Sequence, residues 1–290
     1  MRGIRTEALL LRSVDFGESD RVLHLLVPEV GRLTVMAKGA RRSKRRFGGT
    51  LDFFNHLRIQ YDHGKPGAMA RIDQAALLRA YTPMRTDPAR FALGCFLLEL
   101  LDRLAPDGGA RDEMRRLFGF ALSALSAISS RPADLRLRVF VELCAFDALG
   151  VRPELRRCVR CGDEVKGANR VAFHVGEGGP LCGGCTGGSE AVLPVTLGTL
   201  RALEQGLRLD FARLDRLRLA PATLAEARIL LSRFQRFHLG LELRSESFLD
   251  AVLPGEERPV PASPVYSADS RERPAPNPSS ETSHDGPIRH

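Results

Sequence analysis

Short apolar runs separated by Gly, Asp and Pro dominate roughly the first 80 residues of the chain. They cover residues 7–14, 21–27, 32–38, 57–61 and 69–81. Residues 57–61 (LRIQY) alternate between apolar and polar side chains, which is the period of a strand with one buried face. Five short strands in this length predict a small β-barrel, for which the OB fold and the SH3-like barrel are both solutions.

From Asp87 onward, the apolar positions follow the period of a helix instead. Asp87 and Pro88 combine an N-cap residue with a proline at the first helical position. Apolar stripes at helical spacing then occupy residues 91–101, 114–128, 135–146, 197–207 and 223–239. The Gly-rich segment 158–188 has no such stripe, so the pattern predicts a helical domain with an irregular insert.

The last residues of the chain have a different composition. Residues 254–290 hold eight prolines and few apolar side chains, too few to offset the entropy of ordering, which predicts a disordered tail. The predicted organisation is an α+β multidomain protein. Its parts are a barrel at 1–82, a helical domain at 83–253 with a cysteine insert at 156–188, and the tail at 254–290.

The insert carries two CxxC pairs, Cys158/Cys161 and Cys182/Cys185, separated by 20 residues. Two CxxC turns can supply four thiolates to one tetrahedral metal, and four protein ligands leave no open position for a substrate water. We therefore predict a structural site, with zinc favoured over iron by the four thiolates. A redox pair is the alternative, although no thioredoxin-like βαβ unit surrounds either motif. His174 lies between the pairs and is a possible substitute for one thiolate.

Lysine plus arginine number 43 against 35 acidic residues, which gives a net charge of +8 and favours a polyanionic partner. Residues 38–46 hold six cations in nine positions and no acid, and their glycines indicate a loop. The cations are Lys38, Arg41, Arg42, Lys44, Arg45 and Arg46. Such a loop can wrap nucleic-acid phosphates while Phe47 stacks on a base. A solvated charge run without function is the alternative.

Several function classes are disfavoured by what the sequence lacks. The longest apolar run, residues 91–98, is too short to span a bilayer, and the N-terminus does not resemble a signal peptide, so we expect a cytoplasmic protein. No P-loop, dinucleotide-binding, nucleophile-elbow or HExxH motif occurs, and we expect no enzyme. Asp15, Glu18 and Asp20 could bind Mg²⁺ as a nuclease site, or could form a salt-bridged turn.

The chain resembles the RecO family of bacterial recombination-mediator and DNA repair proteins. The matching stretches are GESDR at 17–21, KGARRSKRRFGG at 38–49, GVRP at 150–153, GPLC at 179–182, and HLG at 238–240 through LRS at 243–245. Together they span about residues 1–250 in order. One departure is Leu51-Asp52-Phe53-Phe54, where the family more often has a proline before the aromatic residue.

The resemblance implies an N-terminal OB fold, a helical C-terminal domain and, in many members, a zinc module. It also implies binding of single- and double-stranded DNA, annealing of complementary strands, and recombinase loading onto SSB-coated DNA together with RecR, close to the nucleoid. The family's DNA-binding loop corresponds to the six cations of 38–46, and its metal ligands correspond to the four cysteines. Two other functions stay open. One is a protein-interaction adaptor without a direct DNA role, whose helical groove docks partner tails while the basic loop only aids solubility. The other is a divalent-metal-dependent nucleic-acid enzyme.

Overall fold

The computed structural model describes residues 3–63, 68–167, 169–187, 192–240 and 242–253, without the side chain of Lys44. The tail predicted at 254–290 lies outside the described residues.

The N-terminal part is a closed five-stranded barrel. Its strands are β1 (Ile4–Phe16), β2 (Asp20–Val27), β3 (Gly31–Ala37), β4 (Asn55–Asp62) and β5 (Ala70–Ala80). They are arranged in the order β1-β2-β3-β5-β4, and β4 pairs antiparallel with β1 to close the barrel. β3 and β5 pair in parallel, with Val35 opposite Ala70. This order and this parallel pair are those of the OB fold and decide against the SH3-like alternative.

Residues 8–11 of β1 are all buried, although a strand with one solvent face would alternate. Ala8 and Leu10 point into the barrel interior, whereas Leu9 and Leu11 pack with the apolar side chains of the helices. A register shift between Leu10 and Arg12 then brings the last part of β1 to the surface. β1 is therefore one of the strands through which the barrel packs on the helical part.

The helices confirm the period read from the sequence. They are α1 (Lys44–Phe47), α2 (Pro83–Thr86), α3 (Pro88–Leu104), α4 (Arg111–Ser130), α5 (Leu135–Ala148), α6 (Leu197–Leu207), α7 (Pro221–Leu239) and α8 (Arg244–Val252), with a 3₁₀ helix at Phe211–Arg216. The Asp87 side chain accepts a hydrogen bond from the backbone N–H of Arg90, which caps α3. Gly240 ends α7 in a left-handed conformation with a φ of 57°.

The cysteine insert is more regular than the sequence indicates. Three short strands, β6 (Arg170–His174), β7 (Gly179–Leu181) and β8 (Val192–Thr196), form an antiparallel sheet in the order β7-β6-β8. Strands of three to five residues carry too few alternations to show a period. Within the predicted insert, β6 and β7 are regular, whereas most of the other described residues form turns and loops.

Polar contacts join the barrel to the segment after α3. The backbone N–H of Arg32 donates to the Pro106 carbonyl at 2.8 Å, and its guanidinium donates to Asp107 at 2.7 and 2.9 Å. In addition, His24 Nδ1 lies 2.6 Å from a carboxylate oxygen of Asp102, which belongs to the last turn of α3. The described barrel and helices form one compact unit, and the domain boundaries stay a prediction. Among the described residues, no helix is long and apolar enough to cross a membrane.

Candidate nucleic-acid interface and metal centre

The basic loop follows β3 and packs on the turn between β1 and β2. The Gly39 backbone N–H donates to the Asp20 carboxylate at 2.7 Å, and the Arg41 N–H donates to the Ser19 carbonyl at 3.0 Å. Gly39 has a φ of 65°, a conformation that glycine adopts without strain. The Gly39 hydrogen bond, together with Ser19 and the charge of Lys38, lowers the pKa of Asp20. The loop therefore leaves the barrel in a fixed direction.

Four cations of the loop, Lys38, Arg41, Arg42 and Arg45, are exposed. The Arg41 guanidinium lies 3.8 Å from the Asp15 carboxylate, and the Arg42 guanidinium lies 3.5 Å from the Glu18 carboxylate. Exposed pairs of this kind contribute little to stability, so a phosphate can replace the carboxylate at small cost. The side chains of Lys38 and Arg45 form no hydrogen bond or ion pair with the described residues.

The two residues that end the loop have structural roles. Phe47 is 4% exposed and belongs to the barrel core, so its ring cannot stack on a base, and that expectation is corrected. The ring is buried because α1 turns it beneath the loop. Arg46 donates to the Lys38 carbonyl at 2.6 Å, and its guanidinium lies 5.0 Å from the Phe47 ring centre. Arg46 therefore braces the loop from within.

The acidic turn beside the loop does not have the arrangement of a nuclease site. Asp15 pairs with Arg21 at 3.0 Å, and Asp20 is engaged by Gly39. Among the described residues, the only group that could hold a metal is the set of four cysteines. The turn is thus salt-bridged, which is the second interpretation given by the sequence.

Two exposed aromatic residues that the sequence analysis did not single out lie near the loop. Phe16 ends β1 and is 57% exposed, and Phe53 follows the loop and is 37% exposed. The period of β1 offers a signal for Phe16, because it places that residue on the same face as Arg12 and Val14. Phe53 precedes Phe54, which is fully buried, and sequence alone does not show which ring of such a pair faces solvent.

The four cysteines meet at the edge of the small sheet. The Sγ atoms of Cys158, Cys161, Cys182 and Cys185 all lie within 4.8 Å of one another, and those of Cys161 and Cys182 are 3.6 Å apart. Tetrahedral ligands at about 2.3 Å from a metal are about 3.8 Å apart, so the arrangement fits one ion. His174 is not in this group, because its Nδ1 accepts the backbone N–H of Glu177. The predicted ligand set is therefore brought together by the fold.

Backbone hydrogen bonds favour the thiolate form of one of these cysteines, Cys158. The Cys158 N–H donates to the Asp163 carbonyl at 2.8 Å, and Gly162, with a φ of 79°, closes the turn. Burial raises the pKa of Cys158, but N–H groups of Cys161, Cys182 and Arg160 outweigh it and lower the pKa to about 6. The Cys158 thiolate is the form that a metal requires, whereas the hydrogen bond with Cys182 raises the pKa of Cys185.

Comparison with known proteins covers both parts of the chain. The family model described as the N terminal part of recombination protein O matches residues 1–81, and the one described as its C terminal part matches residues 85–247.

Curated relatives match over most of their length. DNA repair protein RecO of Anaeromyxobacter dehalogenans (strain 2CP-C) is 39% identical over 254 residues, which is 88% of this chain and 98% of the relative. DNA repair protein RecO of Myxococcus xanthus is 35% identical over 85% of this chain and 96% of the relative. DNA repair protein RecO of Symbiobacterium thermophilum is 31% identical over the same shares. The chain therefore belongs to the RecO family of DNA repair proteins.

Proposed function

We propose that this chain is a non-enzymatic recombination mediator that binds single- and double-stranded DNA and anneals complementary strands. The observation that carries the proposal is the group of exposed cations Lys38, Arg41, Arg42 and Arg45 on a loop fixed to the barrel through Asp20. Arginine and lysine bind phosphate oxygens without regard to sequence, and they release condensed counterions when they do so. Membership of a DNA repair family supports the same role.

Annealing needs only a polycation that leaves base edges free. When the loop neutralises phosphates on two strands, the repulsion between them falls while hydrogen-bonding edges stay available for pairing. Lys44 and Arg46 belong to the same proposed site, with Arg46 acting through the loop's conformation. No bond is formed or broken in this mechanism.

We infer that the four cysteines hold zinc with a structural role. All four positions are protein thiols, so no ligand position is left for chemistry on a substrate. When bound, the ion cross-links the two knuckles of an insert that has little core of its own. Arg160 reinforces this link, because it donates to the Cys185 carbonyl at 2.9 Å and pairs with Glu177 at 2.6 Å.

The proposal extends to partners and location. We infer that the chain acts in the cytoplasm at the nucleoid, where it works with RecR and assists recombinase loading on DNA coated with SSB. Family membership carries this part of the proposal.

A protein-interaction adaptor is the second candidate function, and one groove favours it. The groove lies between α4, α5 and the 3₁₀ helix, has a volume of about 1080 Å³, and is lined by apolar residues such as Leu117 and Phe120 together with Arg116. A partner that docks here would bind independently of the loop. An adaptor of this kind has no direct DNA role, so the loop variant described next should keep its partner binding.

The test is fluorescence anisotropy of a labelled single-stranded oligonucleotide across a salt titration. Four phosphate contacts predict a slope of log K against log salt of about −3. In the loop variant, Lys38, Arg41, Arg42 and Arg45 are replaced by Glu, and binding is expected to be lost. The control carries the same charge change on exposed arginines of the helical part, Arg201, Arg213, Arg216 and Arg218. Equal binding by both variants would refute the loop as the DNA site.

A further inference from the structure

The last helix of the described chain, α8, is held largely by polar contacts. Of its nine residues only Glu246 and Leu249 are buried, so the helix covers little apolar surface. Its start is fixed by the Glu99 carboxylate of α3, which accepts hydrogen bonds from the backbone N–H groups of Arg244 and Ser245 at 3.1 and 2.9 Å. The position of α8 therefore depends on charged and hydrogen-bonding groups.

The flank of α8 pairs with two arginines of the neighbouring helices. Arg138 of α5 donates to Asp250. Arg228 of α7 donates to Glu246 at 2.7 Å and to Asp250 at 3.3 Å. Arg138 is 1% exposed and Glu246 is 7% exposed, so these charges have lost most of their water. Removal of the two acids by itself would leave both arginines without a counter-ion, which is costly in a buried site.

A third carboxylate belongs to the same cluster and has no hydrogen bond while α8 is docked. Glu142 lies one helical turn after Arg138 on α5, is 1% exposed, and neither of its oxygens has a hydrogen-bond partner among the described residues. Arg138 Nε and Nη2 and Arg228 Nη1 also form no hydrogen bond with the described residues. Acceptors and donors that match each other are therefore both unused in the docked arrangement.

The proton equilibrium of Glu142 depends on the charges that surround it. Burial raises its pKa to about 7, and the charges of Glu246 and Asp250 add to the increase. The charges of Arg228 and Arg138 act in the opposite direction. Departure of α8 removes the two acids and leaves the arginines, so the ionised form of Glu142 is then favoured.

We propose that α8 detaches from the folded protein as a unit, and that Glu142 then becomes the counter-ion of the two arginines. In the docked state the acids of α8 neutralise the arginines, and Glu142 holds a proton. In the detached state Glu142 has lost this proton and pairs with the arginines, so their charges are compensated in both states. A higher pH therefore favours detachment.

Detachment also changes a surface next to the barrel. Arg244 and Ser245, at the start of α8, line one side of a groove of about 310 Å³ whose other side is formed by Leu11 and Arg12 of β1. When α8 leaves, this groove loses that side. The inference is independent of the proposed DNA binding by the loop, which lies elsewhere on the barrel.

The test is amide hydrogen exchange of the full chain, followed by mass spectrometry at pH 6 and pH 8 and corrected for the intrinsic exchange rate. Residues 244–252 should exchange through a local opening, faster than α3 and α5 in the same sample. With a docked-state pKa of about 7 for Glu142, the opening equilibrium of α8 should rise about ten-fold between the two pH values.

Glu142→Gln keeps the shape of the side chain and removes its ionisation. In this variant the rise between pH 6 and pH 8 should disappear, and opening at pH 8 should be at least about ten-fold less frequent than in the wild type. Asp250→Asn should increase opening at both pH values, because it weakens the docked state. The matched control is Asp147→Asn, which changes the charge equally on the exposed face of α5, where Asp147 pairs with Arg152.

The wild-type profile decides by itself if a variant does not fold. A wild-type α8 that exchanges only together with α3 and α5, or whose opening is the same at pH 6 and pH 8, would overturn the proposal. A pH dependence that persists in Glu142→Gln would also overturn it. Loss of that dependence in Glu142→Gln, with wild-type exchange of α8 in Asp147→Asn, is the expected result.

Discussion

Asp20, the first residue of β2, accepts a hydrogen bond of 2.7 Å from the backbone N–H of Gly39, the second residue of the basic loop. One carboxylate thus fixes the base of a segment whose other side chains are mostly cationic and mutually repulsive. We infer that this acid positions the loop, although charge alone would argue against an acid on a surface that is proposed to bind DNA. This relationship separates a positioning role for Asp20 from a simple electrostatic one.

Asp20→Ala should weaken DNA binding and speed trypsin cleavage within residues 38–46, although the variant gains positive charge. The matched control is Asp20→Asn, which changes the charge equally but keeps an oxygen that can accept the Gly39 hydrogen bond. We expect Asp20→Asn to bind at least as tightly as the wild type. Identical behaviour of the two variants in cleavage and in anisotropy would contradict the positioning role.

The metal centre predicts one ion per chain and a sharp division among the six cysteines. Cys161→Ser should lose the ion, as measured by elemental analysis, and should lower the melting temperature. Cys95→Ser should keep it, since Cys95 is not one of the four cysteines whose Sγ atoms lie within 4.8 Å of one another. Removal of the ion from the wild type with a chelator should lower the melting temperature as Cys161→Ser does. Full metal content in Cys161→Ser would overturn the assignment of the ligands.

Glu142 predicts a pH dependence of stability in the helical part. Neither of its carboxylate oxygens has a hydrogen-bond partner among the described residues. Burial raises its pKa to about 7, although Arg228 and Arg138 act in the opposite direction, and Glu246 and Asp250 add to the increase. The unfolded value is about 4.3, so the folded state binds more protons between these limits and stability falls as the pH rises.

Glu142→Gln removes this contribution. The free energy of unfolding, measured by denaturant titration from pH 5 to pH 8, should therefore decline less in the variant than in the wild type. A wild type that instead gains stability with pH relative to the variant would mean that the neighbouring arginines keep Glu142 ionised.

Gly206 on α6 faces the ring of Phe140 on α5. A Cβ added at Gly206 would lie 1.8 Å from a ring carbon, so Gly206→Ala should destabilise the protein by roughly 1–3 kcal/mol. Gly119 on α4 has no atom within 4 Å of the corresponding position, and Gly119→Ala should stabilise by up to about 1 kcal/mol. Thermal melts followed by circular dichroism measure both. Stabilisation by Gly206→Ala would show that helix propensity and not the close approach decides.

Local chemistry made much of the fold predictable. The Asp87 cap and the Pro88 start of α3, the limits of α6 and the two CxxC pairs whose thiols cluster all follow from short-range patterns. The OB topology needed the parallel β3–β5 pairing, which brings together residues about 35 apart in sequence and leaves no local signal.

The sequence-based predictions failed where the burial of a residue depends on tertiary contacts. Phe47 looks like a loop residue until α1 turns its ring into the barrel, and α8 was not predicted because only Glu246 and Leu249 of its nine residues are buried. Phe53 and Phe54 differ only in which one the helices cover. None of these outcomes is encoded by periodicity within a single element.

The most direct test of the account is annealing of complementary strands coated with SSB, followed by the rate of duplex formation. The wild type and the variant with Arg201, Arg213, Arg216 and Arg218 changed to Glu should accelerate annealing over the uncatalysed reaction. The variant with Lys38, Arg41, Arg42 and Arg45 changed to Glu should give no acceleration at the same protein concentration. Equal acceleration by both variants would contradict the claim that the loop cations mediate annealing.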